Sequence, residues 1–281
     1  MFVLRFDLRV PPFVETLTHG DQYREFFKMV QWADDKGFAA VVLSEHHGTE
    51  DGYMNSPLLL AGSVLGATNN LFCSVSALLL PLHDQLRIAE EIATVDLIAP
   101  GRFNVVMGIG YRESEFEMFA KNRKTRGKDT ENAIRTILTA LEGEPFEYEG
   151  REVLISPKPV SAPSSLISVG GSVEISAIRA AKLGLPFVPA VRDESLETAY
   201  YKKAKEIIAI PIPTDHKKHP VETKLSFLFL LVDNSAYVLP FNHTDGLCLQ
   251  LGDLTVLRNK NKKVYTLDKK QAYHLTELNN L

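Results

Sequence analysis

Hydrophobic positions along the first two hundred residues fall into two alternating textures. Short apolar runs rich in β-branched and aromatic residues occupy 2–8, 38–43, 71–80, 102–107, 166–169 and 185–189, and longer stretches with apolar residues at helical spacing lie between them. The short runs predict strands and the longer stretches helices, and their alternation predicts βα units around a parallel sheet. A helix is predicted over 22–36, where Phe26, Phe27, Val30 and Ala33 share one face and Gly37 closes the run. A second is predicted through Leu65 with Asn55 as its cap, and others over 85–98, before Pro100 and Gly101, and over 113–119, 128–141, 173–183 and 196–208. The run 71–80 is almost continuously apolar after its first residues, as expected of an interior strand covered on both faces. Glu149-Gly150 between two alternating runs predicts a small hairpin outside the sheet, and 225–232 is a candidate seventh strand.

Beyond about residue 236 the pattern lapses: Asn, Lys, Thr and His are scattered, βα alternation stops, and no eighth strand is evident. The expected architecture is therefore α/β, a (β/α)8 TIM-type barrel over 1–235 whose C-terminal portion is divergent or incomplete, followed by a divergent tail over 236–281. The basic run 259–263 reads as a solvated loop. A length of 281 residues, 45% hydrophobic and 23% charged, suits one barrel with a large core. The formal net charge of -4 and the lack of a basic stripe argue against nucleic acid or an anionic membrane as partner. Two cysteines, Cys73 and Cys248, are too few for a disulfide scaffold or a zinc site. With no leader-like N-terminus and no membrane-length apolar stretch, a cytoplasmic protein is expected.

Parallel barrels build their sites at the C-terminal ends of the strands, so motifs there carry most weight. The strand 38–43 runs into Ser44-Glu45-His46-His47-Gly48 and sets two imidazoles and a carboxylate at the rim. An imidazole can donate, accept or shuttle a proton near neutral pH, and a carboxylate can fix its tautomer. Adjacent histidines point differently and no third ligand is evident, so no metal is expected. The fourth strand ends in Gly108-Ile109-Gly110-Tyr111-Arg112, whose glycines admit a flat ligand but lack the spacing of a dinucleotide fingerprint. Farther on, a strand, Gly170-Gly171, Ser172 and a helix start form a candidate anion pocket of backbone N–H groups. An ordinary glycine turn with Ser172 as N-cap accounts for the same residues. Arg126 can bring a guanidinium to that anion, or it is simply a solvated surface arginine.

Together, Ser44 to Gly48, Gly101-Arg102-Phe103-Asn104 with 108–119, and the Gly170-Gly171-Ser172 turn resemble the luciferase-like flavin-dependent monooxygenase family over about residues 1–200. The resemblance implies a barrel that holds reduced FMN or, in related branches, the deazaflavin F420 in its mouth. In the monooxygenase branch it implies C4a-hydroperoxyflavin formation from O2 and oxidation of a small organic substrate such as an aldehyde or ketone. By resemblance His46 is the catalytic imidazole, with Glu45 and His47 positioning it or its neighbours. Ser76-Ala77 matches a non-prolyl cis peptide against the flavin ring, and Arg126, Gly171, Ser172 and Ser176 match positions around the flavin phosphate, beside Gly170. Asn55, Tyr111 and Arg112 match rim positions on the substrate side. Gly108 stands where light-emitting members carry cysteine, so light emission is not implied. No NAD-binding unit is visible, which implies a separate flavin reductase as reductant supply. The resemblance also implies a homodimer, for which Ala61, Gly62 and Gly66 permit close helix packing. Residues after about 210 do not share it. F420-dependent hydride transfer and a noncatalytic flavin-binding or degenerate barrel are the other readings.

Overall fold

The computed structural model describes residues 2–14 and 16–208, together with five strands between 227 and 268. In chain order the first part runs β1 (Val3–Phe6), α1 (His19–Asp35), β2 (Ala40–Leu43), α2 (Pro57–Gly66), β3 (Phe72–Leu79), α3 (Gln85–Ile98) and β4 (Phe103–Gly108). It continues with α4 (Glu113–Met118), α5 (Arg126–Leu141), β5 (Phe146–Tyr148), β6 (Arg151–Val153), α6 (Pro163–Leu166), β7 (Ile167–Gly171), α7 (Glu174–Leu183), β8 (Phe187–Pro189) and α8 (Glu194–Ile208). Six of these strands form one parallel sheet in the order β1-β2-β3-β4-β7-β8. Because that order is the chain order, each strand is followed by a crossover and then by its spatial neighbour, the winding of a β/α barrel. All six C-terminal ends therefore meet on one edge, which is where the candidate residues lie.

Apolar periodicity explains the layers. Strand β4 is buried at every position, and Val41, Leu43, Val75, Val105, Met107 and Val169 are fully buried along the sheet. Helix α1 lays Phe26, Val30 and Ala33 on this core, α3 lays Ile88 and Ile92, and α5 lays Ile134 and Ile137. No helix among the described residues is long and apolar enough to cross a membrane.

Several boundaries differ from the periodicity for local reasons. Helix α1 begins earlier than expected because Thr18 and Asp21 form a reciprocal capping box, the Thr18 hydroxyl accepting from the Asp21 N–H at 3.1 Å. Asn55 does not cap α2: Ser56 occupies the cap position, Pro57 fixes the first turn, and the side-chain Oδ1 of Asn55 accepts from the Ser56 hydroxyl at 3.1 Å instead. Ser172 is not the cap of α7 either, since Val173 holds that position. The hairpin β5–β6 turns where expected, with Glu149 and Gly150 both at positive φ (50° and 74°), the backbone of a tight two-residue turn.

The chain divides into two compact units, Met1–Ile210 and Pro211–Leu281, a division that falls before the expected one at 235/236. In the second, β9 (Phe227–Val232) pairs antiparallel with β10 (Ser235–Pro240). The candidate seventh barrel strand is thus corrected to one arm of a hairpin, since its immediate neighbour in sequence satisfies its ladder without a crossover. Strands β11 (Leu247–Leu251), β12 (Leu254–Arg258) and β13 (Val264–Asp268) form an antiparallel sheet where no regular pattern was expected. The basic run 259–263 lies outside the described residues.

One buried acid holds the sheet to its helical layer. Asp34, near the end of α1, accepts the backbone N–H groups of Asn69, Asn70 and Leu71 at 2.7, 2.9 and 2.8 Å, just before β3. Asp34→Ala leaves all three without that acceptor, and the expected result is a loss of about 3 kcal/mol of unfolding free energy. Urea titration of the two proteins measures it; a loss below about 1 kcal/mol would mean that water replaces the carboxylate.

Candidate functional site

His46 leaves the end of β2 held on three sides. Its backbone N–H donates to the Met54 carbonyl at 3.0 Å, and its ring meets that of Tyr53 edge-on at 4.8 Å between centroids. Its Nδ1 lies 2.7 Å from Oε1 of Glu115, which sits on α4 with its side chain wholly buried. An ionised carboxylate only accepts, which makes Nδ1 the donor of this pair, and in the neutral imidazole Nε2 then keeps its lone pair. That nitrogen faces the Tyr111 hydroxyl at 3.3 Å, a long hydrogen bond that a ligand can displace. Glu115 Oε1 also accepts the His47 backbone N–H at 3.1 Å, whereas Oε2 is buried with no hydrogen-bond partner among the described residues. The arrangement is a carboxylate-oriented imidazole able to take up a proton at Nε2 and to be stabilised once charged.

Glu45 belongs to a different cluster. Its Oε1 accepts from Nε2 of His47 at 2.8 Å and from Nε2 of His83 at 2.6 Å, and its Oε2 accepts the Leu79 N–H at 2.5 Å. Burial alone pushes this carboxyl up, but the hydrogen bonds from His47, His83 and Leu79 and the nearby His83 charge outweigh it and hold the pKa at about 2. Glu45 therefore fixes His47 and the end of β3, while Glu115 fixes His46. His83 is the third potential metal ligand that the sequence had not offered beside Glu45 and His47. The N···O separations are those of hydrogen bonds, shorter than the roughly 3.3 Å between two ligands of a tetrahedral zinc ion. Donation to an ionised carboxylate fully accounts for both imidazoles.

The remaining candidates gather at the ends of β3, β4 and β7. The Ser76-Ala77 peptide is cis, and the β3–β4 register shifts between Ser76 and Leu78. A Cβ on Gly108 would lie 2.9 Å from that of Ala77, so the missing side chain lets the two strand ends approach. Gly170 packs against Val106 in the same way, at 2.8 Å. A Cβ on Gly171 would collide with the Cβ and hydroxyl of Ser176. Ser176 Oγ and Arg126 Nε are both buried without a hydrogen-bond partner among the described residues, while Ser172 is exposed at the rim. Orphaned donors beside two side-chain-free backbone positions fit a bound anion. Tyr111 reaches His46, whereas Arg112 lies over the Tyr111 ring at 5.9 Å, and no hydrogen bond joins Arg112 or Asn55 to His46.

Glu115, His83 and Tyr53 do not stand out in the sequence. Each follows a strand of the parallel sheet, and that position was the available signal: His83 comes after β3 and Glu115 in the first turn of the helix after β4.

The profile of the family described as luciferase-like monooxygenase matches residues 4–209. The alkanal monooxygenase alpha chain of the Kryptophanaron alfredi symbiont is 28% identical over 164 residues, which is 56% of this chain and 46% of that one. The chain thus spans about half the length of this curated relative. Among solved structures, monooxygenase RslO1 from Streptomyces bottropensis superposes with a TM-score of 0.64 at 22% identity, covering 75% of this chain and 68% of that one. The oxygenating constituent of 3,6-diketocamphane monooxygenase from Pseudomonas putida, solved in complex with FMN, gives a TM-score of 0.57 at 18% identity over 73% of this chain and 61% of that one. A barrel-type parallel sheet with its candidate chemistry at the strand ends agrees with the profile over nearly three-quarters of the sequence, and the chain belongs to the luciferase-like monooxygenase family.

Proposed function

We propose that this protein is a reduced-FMN-dependent monooxygenase that inserts one oxygen atom of O2 into a small organic substrate such as an aldehyde or ketone. The observation that carries the reading is a carboxylate-oriented imidazole and an anion pocket with unsatisfied donors on the same edge of one parallel sheet. The pocket residues Arg126, Gly170, Gly171, Ser172 and Ser176 would hold the flavin phosphate. Ser76 and Ala77 would back the ring system, with Gly108 leaving room beside them. Bound reduced flavin supplies the two electrons that activate O2.

The protein's own groups handle protons and position. His46 accepts a proton at Nε2, the face now turned to Tyr111, and Glu115 stabilises the resulting imidazolium through Nδ1. Glu45 and His47 act as positioning residues, because Glu45 draws His47, His83 and the end of β3 onto one carboxylate. Tyr111, Arg112 and Asn55 border the substrate side. Electrons come from a separate flavin reductase, and the protein works as a homodimer.

The test is an anaerobic titration with reduced FMN followed by O2 and stopped-flow spectra. The expected result is saturable binding and an oxygenated flavin absorbance that decays faster with added aldehyde or ketone. Binding of F420 in place of FMN, with hydride transfer and no O2 consumption, overturns the monooxygenase reading in favour of the deazaflavin one. Flavin binding without turnover of any carbonyl substrate would leave a noncatalytic barrel.

A further inference from the structure

Arg179 on α7 is the most deeply buried guanidinium of the first unit, its side chain 8% exposed. Two of its nitrogens, Nε and Nη1, have no hydrogen-bond partner among the described residues. Its one acidic neighbour, Glu131, stands 3.9 Å from Nε, beyond hydrogen-bond reach, and the other oxygen of Glu131 already accepts from Arg135 at 3.1 Å. Burial pushes the Arg179 pKa down, and the Glu131 charge opposes this only in part. A buried cation left in this condition calls for a counter-ion.

Its surroundings say where that counter-ion sits. A Cβ on Gly127 would fall 2.9 Å from Arg179 Nη2, so the guanidinium lies against the first turn of α5, next to Arg126. One turn earlier on α7 is Ser176, whose unpartnered hydroxyl is packed on Gly171. Arg126 Nε, Ser176 Oγ and two nitrogens of Arg179 are thus buried donors lacking hydrogen-bond acceptors among the described residues, contributed by the N-terminal parts of α5 and α7.

We propose that Arg179 is the second cation of the anion pocket and matches it to a phosphate monoester dianion, so that the site prefers FMN to riboflavin. This rests on the flavin reading above. A monoester carries close to two charges at neutral pH and presents three oxygens, which two guanidinium groups, a hydroxyl and backbone N–H groups can share. The phosphodiester of F420 carries a single charge and continues beyond the phosphorus, a poorer match to a pocket closed by Arg179.

Full-length wild type, R179M, R179K and E131Q are titrated with FMN, riboflavin and inorganic phosphate. R179M is expected to weaken FMN binding by roughly 10- to 100-fold and riboflavin binding by less than about twofold, with partial recovery in R179K. Ligand-free R179M should unfold at no lower temperature than wild type, because it loses a buried guanidinium held only by the long 3.9 Å ion pair with Glu131, and E131Q should leave the FMN-to-riboflavin preference intact. Equal losses for FMN and riboflavin, or loss for neither, overturn the role of Arg179. Should wild type bind no flavin at all, the flavin reading fails and the phosphate titration decides the pocket. Phosphate binding that R179M abolishes upholds it, and no difference between the two proteins, including no binding by either, overturns it.

Discussion

His46→Ala is expected to lower substrate oxidation by about 100-fold while changing flavin affinity by less than about threefold. The magnitude follows from the geometry: a positioned acid–base group contributes about 10²–10⁴ to a rate, and here one ring nitrogen is anchored and the other accessible. Nδ1 is bound to a wholly buried carboxylate and Nε2 is open to displacement of Tyr111. Alanine removes the proposed proton acceptor and leaves Glu115 with the His47 N–H as its remaining partner among the described residues. Glu115→Gln separates orientation from charge. The amide oxygen can still accept from His46 Nδ1 and the His47 N–H, but it no longer balances an imidazolium. Turnover should fall about tenfold in this variant with little change in KM, as for an interaction made mainly in the transition state. Single-turnover oxidation at saturating reduced flavin is the measurement, because it removes binding and flavin supply from the rate. A His46→Ala rate within about threefold of wild type would sink the assignment of proton transfer to this imidazole, and flavin release in step with lost turnover would make it a binding residue.

What the sequence revealed and what it concealed separate along one physical line. Periodicity and punctuation report each segment's own burial and chain direction, so β4, α3 and the Glu149-Gly150 turn were legible to within a residue or two. Strand-end motifs were legible too, because a parallel sheet sends its C-terminal ends to one edge wherever its strands are. Partnership across the mouth was not. Glu45 and His46 are adjacent in sequence, yet Glu45 serves His47 and His83 while His46 turns to Glu115, 69 residues on. Successive residues leaving a strand point to opposite sides, so adjacency is poor grounds for pairing them. Arg179 was hidden for another reason: at helical spacing between Ala177 and Ala180 it reads as a residue of an amphipathic helix, and only its lack of acceptors marks it out. The stretch 225–232 shows the remaining limit, since an apolar run of strand length does not declare whether its partner is the previous barrel strand or the next arm of a hairpin.

Glu45 is where the site and the stability of the barrel meet, and acid should expose the link. The carboxyl has a usual value of 4.5 and sits at about 2 in the folded protein, so between these pH values the unfolded chain binds the proton more tightly. The stabilisation is therefore fully present above about pH 4.5 and is lost as pH falls towards 2, by about 3 kcal/mol over the whole window. Glu45→Gln removes the titrating group and also sets an amide N–H₂ against a donor, whether the Leu79 N–H or the pair of imidazoles. At pH 7 the variant should be less stable by roughly 3 kcal/mol, the cost of frustrating buried hydrogen bonds to a charged acceptor. Its deficit relative to wild type should shrink as pH falls from 5 to 3, because wild type loses what the variant never had. Other carboxylates titrate in both proteins, so the difference between them, measured by urea unfolding at each pH, isolates this one. A deficit that stays constant across the window would mean that Glu45 is not held ionised by His47, His83 and Leu79. A deficit that closes while His46-dependent turnover also falls at pH 7 would place Glu45 as the residue that ties the end of β3 to His47 and His83 and supports the proposed chemistry at His46.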